Sequence, residues 1–73
     1  MFEDVLYNER EERVQIARKL EQLLEKYHVT RERIAAELDI YLDILIDVLS
    51  ASVEVPIQRC RDYFHRVENY LVI

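Results

Sequence analysis

The absence of glycine is the feature that most restricts what this chain can fold into. The 73 residues contain no glycine and one proline, Pro56. Tight hairpin turns and phosphate-binding loops both depend on glycine, because it adopts left-handed backbone conformations without a steric cost. The sequence therefore predicts an all-α protein whose helices are joined by short loops.

The length allows one domain, which we assign to residues 1–73. Hydrophobic residues make up 51% and charged residues 34%, proportions typical of a globular chain rather than a disordered one. Cys60 is the only cysteine and has no internal disulfide partner, which fits a reducing compartment. We find no signal-peptide pattern and no run of roughly 20 apolar residues, the length a membrane helix needs. We therefore expect a cytoplasmic protein that does not act at a membrane.

Apolar periodicity and capping residues divide the chain into helices. Asn8, followed by Glu11, resembles a capping box, Thr30 suits an N-cap, and Pro56 suits the first position of a helix. The predicted elements are an arm or short helix at 1–8 and helices at 9–28, 31–38, 42–50 and 56–71. This gives a bundle of four to five helices.

Residues 31–50 read RERIAAELDIYLDILIDVLS and resemble the helix-turn-helix of the Cro and phage-repressor family. In that motif the first helix buries a large, a small and another large residue, which here are Ile34, Ala35 and Leu38. The turn position is usually glycine. It is Asp39 in this chain, and aspartate tolerates a left-handed backbone better than most residues.

The second half of the motif and its surroundings match as well. Ile40 anchors the turn, and Leu45 and Val48 occupy the buried positions of the second helix. The following loop has Ala51 where the family often has glycine. The resemblance covers about residues 13–70 and implies a lambda-repressor-like bundle that contains a helix-turn-helix. An unrelated four-helix bundle is the alternative.

The predicted helix 42–50 departs from the family where DNA contacts are expected. In the family this helix reads base edges with Arg, Lys, Gln, Asn and Ser. Here its outward positions carry acids and a surplus of apolar residues, with no cation, although phosphate contacts supply most of the affinity for DNA. Exposed apolar residues ringed by acids favour a protein interface. The candidate interface residues are Tyr41, Leu42, Asp43, Ile46 and Asp47.

Two alternatives remain for this helix. It is buried on all sides, under the N-terminal arm or under the tail 70–73, or it reads DNA despite its charge. In the DNA-binding alternative, phosphate contacts come from the basic residues of the first two predicted helices. These are Arg13, Arg18, Lys19, Arg31 and Arg33.

No residue pattern indicates catalysis. His28 and His65 lack partners at metal-ligand spacing, and Cys60 lies on the apolar stripe of the last helix. His65 follows Cys60 by five residues, about 140° around a helix, so the two do not form a nucleophile pair. We expect no enzyme activity, no metal or cofactor, and no small-molecule ligand.

The function expected from this pattern is regulation through protein–protein interaction. The chain resembles the small antirepressors and repressor modulators of phages and mobile elements. That resemblance implies a partner that is a DNA-binding repressor or a second copy of the chain. A Cro-like DNA-binding transcriptional regulator is the alternative, and an antitoxin or enzyme inhibitor is a weaker one.

Overall fold

Four α-helices and their connections make up the part of the chain that the structure, a computed structural model, describes: residues 2–72, with side chains from Asn8 to Val72. The helices are α1 (Phe2–Lys26), α2 (Arg31–Leu38), α3 (Leu42–Leu49) and α4 (Ile57–Leu71). Residues 2–72 contain no β-strand. The radius of gyration is 12.3 Å, close to the roughly 11 Å expected for a compact domain of this length. The all-α prediction is confirmed, with four helices.

The first helix differs from its predicted bounds. It was expected at 9–28, after a separate arm or short helix at 1–8, but α1 runs without a break from Phe2 to Lys26. Asn8 lies within it, because an asparagine in a helix costs only a fraction of a kcal/mol and no glycine or proline interrupts the segment. The expected packing of the arm concerns side chains outside the described residues. At the other end, α1 stops before His28, which has a φ of 55°.

The first three helices end in the same motif. A residue with positive φ follows each helix, and the next residue donates its N–H to a carbonyl five positions back, which is the Schellman arrangement. The three left-handed residues are His28, Asp39 and Ala51. The bonds are Val29 N to Leu24 O at 2.9 Å, Ile40 N to Ala35 O at 3.0 Å and Ser52 N to Asp47 O at 3.0 Å. Glycine usually fills this position, so the chain makes three glycine-type turns without glycine.

One hydrophobic core joins all four helices. α1 packs against α3 and α4, and α2 packs against the same two helices. The side chains with almost no exposure are Leu20, Ile34, Leu45, Val48, Cys60 and Val67. Tyr63 of α4 is also buried in this core.

The α2–α3 pair was predicted closely. Thr30 caps α2 by accepting a hydrogen bond from the Arg33 N–H at 3.1 Å. Ile34 and Ala35 are buried, and Asp39 has φ 54° and ψ 47°, in the left-handed region. Residues 39–41 then connect α2 to α3. Of the core positions expected for this segment, Ile34, Ala35, Leu45 and Val48 are confirmed as buried, whereas Leu38 and Ile40 are half-buried at the edge of the core.

Polar contacts tie α1 to the loop before α4 and to α4 itself. Arg13 is only 9% exposed, and its Nε and Nη2 donate to the Val55 carbonyl oxygen at 3.3 and 3.1 Å. Glu12, the residue before Arg13, accepts two hydrogen bonds from the Arg61 guanidinium, with Nη2 2.7 Å from Oε1. These hydrogen bonds hold the pKa of the Glu12 carboxyl below its ordinary value. The contacts fix where α4 begins relative to α1.

Candidate protein-interaction surface

Three of the five predicted interface residues lie on one side of α3. Asp43, Ile46 and Asp47 are spaced i, i+3 and i+4, which places them side by side on a helix. Asp43 is exposed, Ile46 is 39% exposed and Asp47 is half-buried. These three residues are called the α3 face below. An apolar side chain thus lies beside two carboxylates on the solvent side of the helix.

The other two predicted residues do not belong to the α3 face, which corrects the expected single patch. Leu42 is half-buried and packs against the core. Tyr41 is 77% exposed, but it is the N-cap residue of α3, with extended φ and ψ of −70° and 128°. Helical periodicity does not apply to a residue outside the helix. Tyr41 instead borders a groove between the start of α3 and Arg59 of α4.

Fewer apolar residues of α3 are exposed than the sequence predicted. Leu42 and Ile44 both pack against the core from the two flanks of α3. The helix is still not buried on all sides, because Asp43 and Ile46 reach solvent. The end of α4 lies near α2 instead, where the Tyr70 hydroxyl donates to Glu37 at 3.0 Å.

The net negative charge of the protein lies in the stretch of sequence that contains α3. Residues 34–58, called the acidic segment below, contain five acids and no Lys, Arg or His. The rest of the sequence carries ten acids and ten Lys or Arg, so its formal charge is zero. The whole net charge of −5 therefore belongs to the acidic segment. Its acids are Glu37, Asp39, Asp43, Asp47 and Glu54, and none forms a salt bridge with another residue between Asn8 and Val72.

The structure changes the set of basic residues proposed for phosphate contacts. Arg13 is buried and donates to Val55, so it does not offer its guanidinium to a ligand. Arg31 forms an exposed ion pair with Glu21 at 2.8 Å. The remaining three, Arg18, Lys19 and Arg33, are exposed.

Sequence reasoning missed the burial of Arg13, although a signal for it existed. Arg13 lies three and four residues before Ile16 and Ala17, which are buried, so it continues the inner stripe of α1. A charged residue on such a stripe needs a polar partner inside the protein. The Val55 carbonyl, 42 residues away, supplies it, and no local pattern identifies that partner.

Groups that carry chemistry in other proteins are dispersed in this one. His28 and His65 are exposed, and burial raises the pKa of the Cys60 thiol. Between Asn8 and Val72 no three His, Cys, Asp or Glu side chains are grouped as metal ligands are. None of the four helices combines the length and apolar character that crossing a bilayer requires.

No protein-family model, curated protein or solved structure matches the chain. Its function must therefore be inferred from its own residues.

Proposed function

We propose that this protein is a helix-turn-helix-fold regulator that acts mainly by binding another protein through the α3 face. The observation that carries the proposal is the chemistry of that face. Ile46 reaches solvent between two carboxylates, and neither α3 nor the acidic segment around it contains a cation. A helix that reads DNA needs donors for base edges and cations for phosphates.

The burial pattern of α2 and α3 supports the helix-turn-helix part of the proposal. The small residue Ala35 of α2 is buried in the core, and Leu45 and Val48 are buried on the inner side of α3. Asp39 adopts the left-handed conformation that the motif requires at its turn. In this arrangement α3 corresponds to the recognition helix, the element that the family presents to its ligand.

The α3 face suits a partner with an apolar groove edged by Lys or Arg. Burial of the exposed part of Ile46 supplies affinity, since buried anchors carry most of the energy of an interface. Asp43 and Asp47 mainly raise the association rate and make binding sensitive to salt. A DNA-binding repressor and a second copy of the chain are the two partner classes proposed. Binding by such a protein modulates the repressor, as an antirepressor does.

The structure leaves fewer basic residues for the DNA-binding alternative than the sequence suggested. Of its five proposed phosphate contacts, Arg13 is buried and donates to Val55. Arg31 remains exposed in its ion pair with Glu21, and Arg18, Lys19 and Arg33 are also exposed. None of the five lies on α3. If the protein were an antitoxin or enzyme inhibitor, its target enzyme would bind the same α3 face. Only the identity of the partner distinguishes this alternative from the proposed function.

A capture experiment with matched variants tests the proposal. The immobilised wild-type chain is compared with the variant Asp43→Asn, Ile46→Ser, Asp47→Asn, using extract from cells that express the protein. The control variant, Glu11→Gln, Tyr27→Ser, Glu25→Gln, makes the same kinds of change at exposed positions of α1 and the turn after it. Circular dichroism checks that all three chains fold.

We expect a partner that the wild type and the control variant retain and that the α3 variant loses. Sedimentation of each variant shows whether that partner is a second copy. A partner retained equally by all three chains would contradict the assignment to the α3 face. A sequence-selective nanomolar complex with DNA would replace the proposal with the Cro-like alternative.

A further inference from the structure

We infer that the partner of the α3 face presents its nucleic-acid-contacting surface to it, so that this protein and DNA exclude one another on that partner. The inference rests on the proposed function and specifies the class of partner and the mode of competition. Asp43 and Asp47 supply negative charge and Ile46 an exposed apolar side chain, and the partner surface must complement both.

The first step is the unbalanced charge of the acidic segment. Its five acids have no cation among the 25 residues 34–58, and they form no ion pair with the side chains described from Asn8 to Val72. Asp43 and Asp47 are one turn apart on α3, separated by a rise of about 6 Å. Arg59 and Arg66 of α4 line the groove beside Asp39 and Tyr41, so the charge that a partner must neutralise is that of Asp43 and Asp47. Such a partner must supply cations about 6 Å apart.

The second step identifies the class of protein surface that can supply these cations. The cores of ordinary protein–protein interfaces are depleted in charged residues, Lys in particular. Surfaces that bind nucleic acid are much more positively charged, with Lys and Arg clustered on one face. They also carry apolar contacts, such as those made to the thymine methyl group. A basic surface with an apolar spot complements Asp43, Ile46 and Asp47 together.

The third step separates this partner from a second copy of the chain. Pairing two α3 faces would bring two acidic segments together, each carrying the full net charge of −5. Like charges placed opposite one another at an interface are strongly unfavourable. Charge complementarity therefore favours a basic partner over self-association through this face.

Competition with DNA tests the inference. A nuclease-treated extract fraction retained on heparin, which enriches nucleic-acid-binding proteins, is passed over the immobilised wild-type chain. The bound protein is eluted with high salt, which does not select for displacement by DNA, and is then purified. Its apparent Kd for a fluorescent duplex is then measured by anisotropy at increasing concentrations of the free chain. The same titration uses Asp43→Asn with Asp47→Asn, and the control pair Glu11→Gln with Glu25→Gln.

We expect the apparent Kd for DNA to rise in proportion to the concentration of the wild-type or control chain, without a plateau. The Asp43→Asn, Asp47→Asn chain should need about tenfold or more higher concentration at low salt. A ternary complex of chain, partner and DNA would overturn this inference while leaving the protein-binding function intact. A concentration-dependent dimer that Ile46→Ser dissociates would overturn it in favour of self-association. If no partner depends on the α3 face, both this inference and the proposed function fail.

Discussion

Among the side chains that the structure describes, charged ones are paired within the protein between α1 and α4 but not on the α3 face. Between α1 and α4, Arg61 binds Glu12, and Arg13 of α1 reaches the Val55 carbonyl just before α4. On α3, Asp43 and Asp47 contact no cation among the described side chains. The charges of Glu12, Arg13 and Arg61 between the long helices are therefore part of the fold, whereas those of Asp43 and Asp47 on α3 are available to a ligand.

Helix length adds to this contrast. α1 has 25 residues and α4 has 15, whereas α2 and α3 have eight each. An isolated eight-residue helix is unstable in water, so α3 depends on tertiary packing of its inner side. Leu45, Val48 and Leu49 provide that packing. The outer residues of α3 can consequently serve recognition without being needed for the fold.

The largest expected effect is a difference in stability between variants of two neighbouring residues that lie on the buried and the solvent-facing sides of α3. Leu45 is fully buried and Ile46 is 39% exposed. Leu45→Ala should lower the free energy of unfolding by about 2–5 kcal/mol, because it leaves a cavity in the core. Ile46→Ala should cost less, about 1–2 kcal/mol, since Ile46 is partly exposed and its loss leaves no enclosed cavity. Urea denaturation of both variants measures the difference, and equal losses would mean that Ile46 belongs to the core.

A second comparison concerns two arginines of α1. Arg13→Met leaves the Val55 carbonyl without its two donors and should destabilise the protein by roughly 1–3 kcal/mol. Arg18→Met changes an exposed residue and should stay within about 0.5 kcal/mol of the wild type. Thermal or urea unfolding of the two variants provides the test. If Arg18→Met were the more damaging change, the role assigned to Arg13 would be wrong.

Local rules predicted local features well and long-range contacts poorly. The bounds of α2, the cap at Thr30 and the left-handed Asp39 depend on residues close in sequence, and all three agree with the structure. The burial of Arg13 depends on Val55, which is 42 residues away.

The grouping of the predicted interface residues differs from the structure for a related reason. Tyr41 was grouped with the outward residues of the predicted helix 42–50, but it is the N-cap residue that precedes α3. Helical periodicity could not show that Leu42 packs against the core, because that contact depends on the other helices. The outward positions of Asp43, Ile46 and Asp47 follow from spacing alone.

The three left-handed caps offer a smaller, stabilising change. Ala51 has a φ of 58° and Asp39 a φ of 54°, conformations that glycine adopts at no steric cost. Ala51→Gly should raise the free energy of unfolding by about 0.5–1 kcal/mol, reduced by the greater entropy of the unfolded glycine. Asp39→Gly should gain less, since aspartate tolerates this region better than alanine. A loss of stability in Ala51→Gly, seen by thermal unfolding, would contradict the cap geometry.

The smallest expected effect is the pH dependence of the Glu12–Arg61 pair. Because the pKa of Glu12 is below its ordinary value of 4.5 in the folded protein, the pair adds stability above pH 4.5. That contribution disappears as the pH falls through the lowered pKa. The pair is partly exposed, so Glu12→Gln should cost about 0.5 kcal/mol or less at pH 7 and a smaller amount at pH 2. Urea unfolding midpoints at the two pH values measure this loss of stability. A loss that grows toward low pH would contradict a lowered pKa for Glu12.

The central claim is that α3 presents a protein-recognition surface and not a DNA-reading one. The most direct measurement is selection of DNA ligands from a random-sequence duplex library, followed by anisotropy titration of the enriched sequences at physiological salt. With Asp43 and Asp47 on the face and no cation on α3, we predict no sequence-selective complex tighter than about micromolar. A nanomolar, salt-sensitive complex with one enriched sequence would contradict the account.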